Sequence, residues 1–238
     1  MPTKSFIPDS REGAHRPSRR AVLLAAGAAP LLARCSSDPN SDTGQLTELL
    51  GQSFHVLSGD RSVTLREVQD TPFASLGVRV GSGAQTMLVL AARTGASGVW
   101  TSASHIALEI ASGRILRTAG LPQNLSGTTF SGSDPLARGL ETLRQPAKVA
   151  RALDFEDRNT YGIAVESALA PAGLQDVDVL GTRIRCVHAV ERCSAPALSW
   201  NFTNEYWAGA KSGLVWRSLQ SINPDLPTVE ITLFRPPK

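Results

Sequence analysis

Residues 105–118 read HIALEIASGRILRT and decide the fold class of this chain. Every second residue from Ile106 to Ile110 is a large aliphatic one, which is the pattern of a β-strand with one buried face. Ser112 and Gly113 then supply a turn, and the chain continues into a second short strand. The stretch therefore predicts an antiparallel hairpin with one face towards solvent.

Similar strand signals recur along the chain, and helical signals are few. Further strands are predicted at residues 74–80, 85–93, 148–155, 161–169, 176–180, 182–190, 200–208, 214–222 and 228–234. A capping box at Thr64 and Glu67 predicts one short helix, and Asp134-Pro135 predicts the start of another. The fold class is therefore mainly β: a curved antiparallel sheet, an incomplete barrel or a sandwich, with a few short helices.

The N-terminal segment has the pattern of an export signal. Residues 1–20 are polar and basic, and residues 21–32 are apolar but too short to span a bilayer, which takes about 20 residues. Arg19 and Arg20 follow a serine and precede the apolar stretch, as in a twin-arginine signal. Residues 1–34 are therefore predicted to be a twin-arginine-like signal peptide, with an ordinary secretory signal as the alternative.

Cys35 stands directly after the apolar stretch, where a lipoprotein carries its acylated cysteine. We expect this thiol to be lipidated with acyl chains such as palmitate, which would anchor the mature chain on a membrane. Arg34 departs from the small residue usual before that cysteine. Residues 35–43 are predicted to form a flexible tether, and residues 44–238 a single β-rich domain.

The charge of the chain comes mainly from the predicted signal peptide. The 238 residues include 24 basic and 21 acidic ones, for a net charge of +3. Residues 1–34 hold six of the basic and two of the acidic residues, so the remainder has 18 and 19 and a net charge of −1. No charge excess remains to bind nucleic acid.

Several short motifs of this chain recur, in the same order and spacing, in one known protein family. The segment GRILRTAGL at residues 113–121 is similar to the family's glycine-arginine motif, and DPL stands at residues 134–136. The C-terminal part carries NEYW at 204–207, VWRSLQ at 215–220 and PDLP at 224–227. Together these segments resemble the YjbF/GfcB family, the group 4 capsule and exopolysaccharide lipoproteins, over roughly residues 45–236.

The resemblance implies an envelope lipoprotein that works with proteins of a polysaccharide export system. It implies no catalytic residues and no cofactor. Ser36 follows Cys35, and the aspartate that commonly retains lipoproteins at the inner membrane is absent there. The expected location is therefore the periplasmic face of the outer membrane, with the polysaccharide itself as a possible partner.

An enzyme acting on the same polysaccharide, such as a hydrolase, is the alternative function. It would need two carboxylates across a groove. Asp154, Glu156 and Asp157 form the one dense acidic cluster, but a solvated turn explains them more simply. His105 lies beside serines on a strand, where neighbouring side chains point to opposite faces and form no dyad. We therefore predict no catalytic residues. A periplasmic lipid carrier is a weaker alternative, favoured by a large apolar cavity.

Cys186 and Cys193 flank residues 187–192, which are interpreted as a hairpin connection. In an oxidising compartment these two thiols are predicted to form a disulfide, with two reduced buried cysteines as the alternative. Together with His188 they lack the paired spacing of a structural zinc site, so no metal is predicted.

Tyr206, Trp207 and Trp216 lie near the C-terminus and are the candidates for stacking on sugar rings. Core packing across a hairpin is the alternative interpretation. Solvent-facing charges are the interpretation for three arginines on predicted strands, Arg114, Arg117 and Arg217, with contact to acidic polysaccharide as the functional alternative.

Overall fold

The computed structural model describes residues 59–238. The predicted signal peptide with Arg19 and Arg20, the predicted lipidation site Cys35, the tether and the start of the predicted domain lie outside these residues. Within residues 59–238, no helix is both long enough and apolar enough to cross a membrane.

The described chain forms one sheet of twelve strands in which every neighbouring pair is antiparallel. The strands are β1 (Ser75–Val80), β2 (Thr86–Thr94), β3 (Ser97–Thr101), β4 (Ala107–Ala111), β5 (Arg114–Ala119), β6 (Gly127–Phe130), β7 (Ala147–Phe155), β8 (Thr160–Val179), β9 (Thr182–Ala195), β10 (Trp200–Gly209), β11 (Val215–Gln220) and β12 (Val229–Arg235). One helix, α1 (Leu65–Asp70), precedes them. Short 3-10 turns lie at Pro135–Arg138, Leu140–Thr142, Glu156–Arg158 and Pro196–Leu198.

The sheet curls until its two edges meet. Its strand order is β5-β4-β3-β2-β1-β12-β11-β10-β9-β8-β7-β6, so β5 and β6 are consecutive in the chain but stand at opposite edges. The Thr118 N–H on β5 donates to the Leu125 carbonyl, just before β6, at 2.7 Å. Strands twist with a constant hand, and a sheet this wide therefore coils rather than lying flat. The predicted fold class, mainly β with an incomplete barrel, is confirmed.

The hairpin predicted from residues 105–118 is confirmed as β4 and β5. Ala111 and Arg114 pair across the turn, and both turn residues have positive φ, 49° at Ser112 and 85° at Gly113. This conformation suits the twist of the flanking strands. A Cβ at Gly113 would also lie 2.6 Å from the Val215 side chain, so the turn packs directly against β11.

The two predicted helix starts are confirmed, but one helix differs from its prediction. Thr64 and Glu67 form the reciprocal capping box at the start of α1. Asp134 accepts a hydrogen bond from the Leu136 N–H at 3.1 Å, as predicted for a cap. The helix then breaks at Gly139, whose φ is 86°, and the segment forms two 3-10 turns instead of one helix.

The interior of the curled sheet is filled by apolar side chains from alternate positions of its strands. Val78, Leu88, Leu108 and Phe155 have no solvent exposure, and they belong to one cluster that extends over most of the strands. This close packing gives the interior the density of an ordinary protein core.

A second apolar cluster lies on the outer face of β9 and β10, around Cys186 and Trp207. β8 reaches it because a bulge between Pro171 and Gly173 shifts the pairing with β9 by one residue. After the bulge, Val177 lies on the outer face and packs into this cluster. The end of the β8–β9 hairpin therefore buries its side chains outside the barrel rather than within it.

The predicted disulfide between Cys186 and Cys193 is wrong in this structure, where both thiols are free. The residues between them form no turn, because β9 runs continuously through them. Seven residues of strand separate the two Cα atoms by about 23 Å, well beyond the reach of a disulfide of about 7 Å. The odd spacing also places the two side chains on opposite faces of the sheet.

We predict that neither thiol reacts with iodoacetamide in the folded protein and that both react in denaturant without a reductant. Burial raises the pKa of Cys186, and burial together with the nearby Glu191 carboxylate raises the pKa of Cys193 to about 11. The thiolate is the reactive form, so both groups are protected. Peptide mapping by mass spectrometry measures the labelling, and a cross-linked Cys186–Cys193 peptide pair in a non-reduced digest would contradict the prediction.

Candidate functional site

Glu191 on β9 lies at the centre of a polar cluster inside the curled sheet. Its side chain has no solvent exposure, and it is held between two arginines that are themselves almost fully buried. The Arg114 Nη1 atom lies 2.8 Å from Oε2 of Glu191, and the Arg151 Nη1 atom lies 2.8 Å from Oε1. One carboxylate therefore joins β5, at one edge of the sheet, to β7, next to the other edge.

Arg114 makes a second ion pair on its other side. Its Nε and Nη2 atoms donate to the two carboxylate oxygens of Asp134, at 2.6 and 3.1 Å. Its Nη1 atom also donates to the Tyr206 hydroxyl at 2.9 Å. Two arginines thus face two carboxylates, and the cluster has no net charge. Charges buried in this way are tolerated only because each is paired and hydrogen-bonded.

Neutral polar side chains complete the cluster. Ser167 and Asn204 donate to the Glu191 carboxylate at 2.7 and 3.0 Å. The Gln220 side chain accepts from the Ile115 N–H at 3.0 Å and donates to the Gly113 carbonyl at 2.8 Å, which ties β11 to the β4–β5 hairpin. Residues from six strands therefore contribute to one hydrogen-bonded network.

The ion pairs decide the ionisation of the cluster. Burial alone would raise the pKa of Glu191, but Arg114 and Arg151 outweigh it and hold that pKa far below its ordinary value. Burial likewise opposes the charge on Arg114, but the Glu191 and Asp134 carboxylates raise its pKa well above the usual range. Burial raises the pKa of Tyr206, so its hydroxyl stays protonated and continues to donate.

This cluster has a structural role, because it leaves no room for a ligand. The space beside Arg114, Arg151 and Asn204 is only about 10 Å³, about the minimum that holds one water molecule. Each oxygen of Glu191 already accepts more than one hydrogen bond, and no substrate-sized space adjoins it. The ion pairs and hydrogen bonds of this cluster therefore hold strands together.

The motifs behind the family resemblance converge on this cluster. Arg114, Asn204, Tyr206 and Gln220 come from three separate motifs and meet in one network. The interpretation of Arg114 as a solvent-facing charge is wrong, since the residue is 2% exposed. The sequence analysis missed Arg151 and Glu191. Their signal was a charge at inward-facing positions of strands whose other inward residues are small or apolar.

A cleft of about 500 Å³ opens to solvent at one end of the barrel. The β2–β3, β4–β5 and β10–β11 turns surround it, together with the 3-10 turns that follow β6. Leu76, Trp100 and Leu233 lie in its apolar floor. Its volume is within the range of ligand-binding pockets, about 300 to 1,000 Å³.

Charged side chains line the cleft above this floor. Arg93 and Arg138 are exposed, and Arg217 is paired with Glu230 at 2.7 Å. Among the described residues that line the cleft, Glu141 is the single acidic one. One of its carboxylate oxygens is buried without a hydrogen-bond partner. The cleft is therefore an open, predominantly cationic site with one unsatisfied acceptor.

The aromatic candidates for glycan contact lie largely in the core. Tyr206 has no exposure, and Trp207 stacks on His188 at 4.6 Å with the Arg217 guanidinium 5.2 Å from its ring. Neither ring offers an open face to a sugar, so core packing accounts for both. Trp216 is half-buried and packs against the interior and the outer clusters.

The end of β7 and the β7–β8 turn contain the acidic cluster that the hydrolase alternative would need, Asp154, Glu156 and Asp157. The Asp154 carboxylate accepts from the Gly162 N–H at 2.7 Å, and Asp157 accepts from the Asn124 N–H at 3.3 Å. The cluster lies outside the cleft. Cys193 likewise points to the opposite face of β9 from Cys186 and His188, so these three side chains do not converge.

We predict that Glu191→Gln lowers the free energy of unfolding by about 3 to 5 kcal/mol, because it leaves two buried arginines without their shared counter-charge. Urea denaturation measures the effect. Glu166→Gln, an exposed change on β8, is the matched control and should stay within about 0.5 kcal/mol of the parent. Equal stabilities of the two variants would contradict the structural role of Glu191.

The same two variants test a second prediction, that Glu191 makes the stability of the fold sensitive to acid. The pKa of Glu191 is lowered in the folded state from its ordinary value of 4.5, so its contribution is fully present above that value. The contribution is lost progressively as the pH falls below 4.5, because the unfolded chain then binds a proton that the folded chain does not. Urea midpoints between pH 7 and pH 3 should fall less steeply in Glu191→Gln than in Glu166→Gln.

Comparisons with known proteins agree with the fold and motifs. A curated relative, the uncharacterized lipoprotein GfcB of Escherichia coli (strain K12), is 25% identical over 177 residues, which cover 74% of this chain and 83% of that protein. The crystal structure of the hypothetical lipoprotein YmcC from Escherichia coli (K12) shares the fold, with a TM-score of 0.66, 22% identity and coverage of 84% and 98% of the two chains. The family model described as group 4 capsule polysaccharide lipoprotein gfcB, YjbF matches residues 47–234. The chain therefore belongs to the YjbF family of group 4 capsule polysaccharide lipoproteins.

Proposed function

We propose that this protein is a non-catalytic lipoprotein of the cell envelope that supports capsule or exopolysaccharide export or assembly by holding a segment of the glycan. Membership of the capsule polysaccharide lipoprotein family supports the context. The observation that carries the mechanism is the open cleft at one end of the barrel, with an apolar floor and charged groups above it. Sugars present both apolar C–H faces and hydroxyl groups, so such a lining suits them.

The cleft favours binding over hydrolysis. A glycoside hydrolase places two carboxylates about 5 to 10 Å apart across the scissile bond. Of the described residues that line the cleft, only Glu141 carries a carboxylate, and no histidine or cysteine is among them. The lining thus offers no second group to act as base or nucleophile.

The cleft also favours a glycan over the acyl chain of a lipid carrier. An acyl chain is best held in an enclosed apolar cavity, whereas this cleft is open and has Arg93, Arg138 and Glu141 in its lining. The barrel interior beyond it is occupied by side chains such as Leu88 and Phe155, which have no exposure.

Anchoring through Cys35 completes the proposal. An acylated Cys35, followed by the tether of residues 35–43, would place the barrel near the membrane surface. Ser36 after it favours sorting to the periplasmic face of the outer membrane, and Arg19 and Arg20 direct export. Proteins of the export system are the expected neighbours there.

We predict that deleting the gene reduces surface polysaccharide and that the purified protein does not cleave this polymer. Immunoblotting or staining of surface polysaccharide measures the first effect, with the parent gene restored as the control. A reducing-end assay with the isolated polymer measures the second. Release of new reducing ends would contradict a non-catalytic role, and unchanged surface polysaccharide would contradict the proposed function as a whole.

We predict that Cys35→Ser abolishes acyl labelling and releases the protein from the membrane fraction, because the thiol is the acylation site. Metabolic labelling with an alkyne fatty acid and fractionation measure both effects. Globomycin should cause the unprocessed form of the parent chain to accumulate. Labelling and membrane attachment that persist in Cys35→Ser would show that another residue or a different anchor is used.

A further inference from the structure

The cleft contains two arginines whose charges no residue of the described chain neutralises. Arg93 at the end of β2 and Arg138 in the first 3-10 turn are both exposed, and neither side chain has an ion pair or hydrogen bond among residues 59–238. Arg114, Arg151 and Arg217 are, in contrast, each paired with a carboxylate. A free guanidinium is a planar fork of donors that matches a carboxylate or phosphate.

Glu141 supplies a negatively charged hydrogen-bond acceptor in the same cleft. One of its carboxylate oxygens is buried and accepts no hydrogen bond. The carboxylate lies against Gly139, where a Cβ would clash with it, and against Gly213, where a Cβ would come within 3.2 Å; both glycines also line the cleft. The other oxygen is not buried and has no donor among residues 59–238 either, so a ligand hydroxyl in the cleft can donate to it.

A ligand that suits both features carries negative charge and hydroxyl groups together. A simple anion would be attracted by the arginines but repelled by Glu141, and it would leave the apolar floor uncovered. A neutral sugar would satisfy Glu141 but leave Arg93 and Arg138 without partners. A saccharide with carboxylate substituents pairs with the arginines, donates hydroxyls to Glu141 and packs its C–H face on the floor.

We propose that this cleft binds an acidic saccharide, with Arg93 and Arg138 contacting its carboxylate groups and Glu141 accepting its hydroxyls. This inference rests on the proposed function, because it names the class of glycan that the protein holds. Arg217 contributes less to binding, because its guanidinium is already paired with Glu230.

The test uses the full-length protein and a trimer of galacturonic acid as the acidic probe, with maltotriose as the neutral one. Isothermal titration calorimetry should detect trigalacturonate and not maltotriose, and binding should weaken between 50 and 500 mM salt because the contacts are ionic. Arg93→Gln and Arg138→Gln should each weaken binding by about tenfold. Arg192→Gln, an exposed arginine on β9 outside the cleft, is the matched control and should bind as the parent does.

Glu141→Ala separates a saccharide site from a plain anion site. It should weaken the binding of trigalacturonate but not the binding of inorganic phosphate, and it should not lower the melting temperature, because the buried oxygen loses no partner. Phosphate that binds as tightly as trigalacturonate, with Glu141→Ala affecting neither, would overturn the proposal. Equal binding of maltotriose, or no binding of trigalacturonate, would overturn it as well.

The two proposals fail in different ways. Loss of surface polysaccharide on gene deletion, combined with no binding of trigalacturonate in the cleft, would retain the proposed function and overturn the acidic-saccharide inference. Unchanged surface polysaccharide on deletion would overturn the proposed function, whatever the cleft binds.

Discussion

The contact of Glu191 with Arg114 and Arg151 is the interaction on which the rest of this fold depends. β5 stands at one edge of the sheet and β7 next to the other, and the carboxylate on β9 binds an arginine from each. The backbone contributes little to this closure. Where the two edges meet, the Thr118 N–H donates to the Leu125 carbonyl, but β5 and β6 are not paired as neighbouring strands of the described sheet. The buried ion pairs therefore hold the curled sheet in the shape that backbone pairing alone leaves incomplete.

A charged centre of this kind specifies the fold more than it stabilises it. Desolvating two arginines and a glutamate costs several kcal/mol for each ion, and the ion pairs and hydrogen bonds offset that cost only in one geometry. A shift of β9 by one residue would turn Glu191 to the outer face and bury Arg192 in its place, against two arginines. Alternative registers are thus penalised strongly, whereas an apolar interior alone would tolerate them better. The bulge at Pro171 adds a second constraint on register.

The closed centre and the open cleft divide the polar residues of the barrel into two groups. In the centre, every charge has a partner and the remaining space is about 10 Å³, so the residues perform a structural role. At the open end, Arg93, Arg138 and a Glu141 oxygen have no partner within the part of the chain that the structure describes. Gly113 connects the two regions, because it lines the cleft while its carbonyl accepts from Gln220 of the network. A ligand in the cleft therefore lies next to the hairpin that carries Arg114.

The sequence by itself determined the fold class, the β4–β5 hairpin, the two capping residues and the family, because period-two patterns, turn residues and short motifs are local signals. It did not determine that Arg114 points inward, that β9 passes straight through Val187 and Arg192, or that Glu191 joins the two edges of the sheet. A strand pattern tells which residues share a face, but which face is covered depends on strands far away in the chain. Likewise, the cleft is assembled from turns that lie more than a hundred residues apart. Only the tertiary structure decided which charges are paired in the interior and which remain free to meet a ligand, because pairing depends on the distances that closure of the sheet creates.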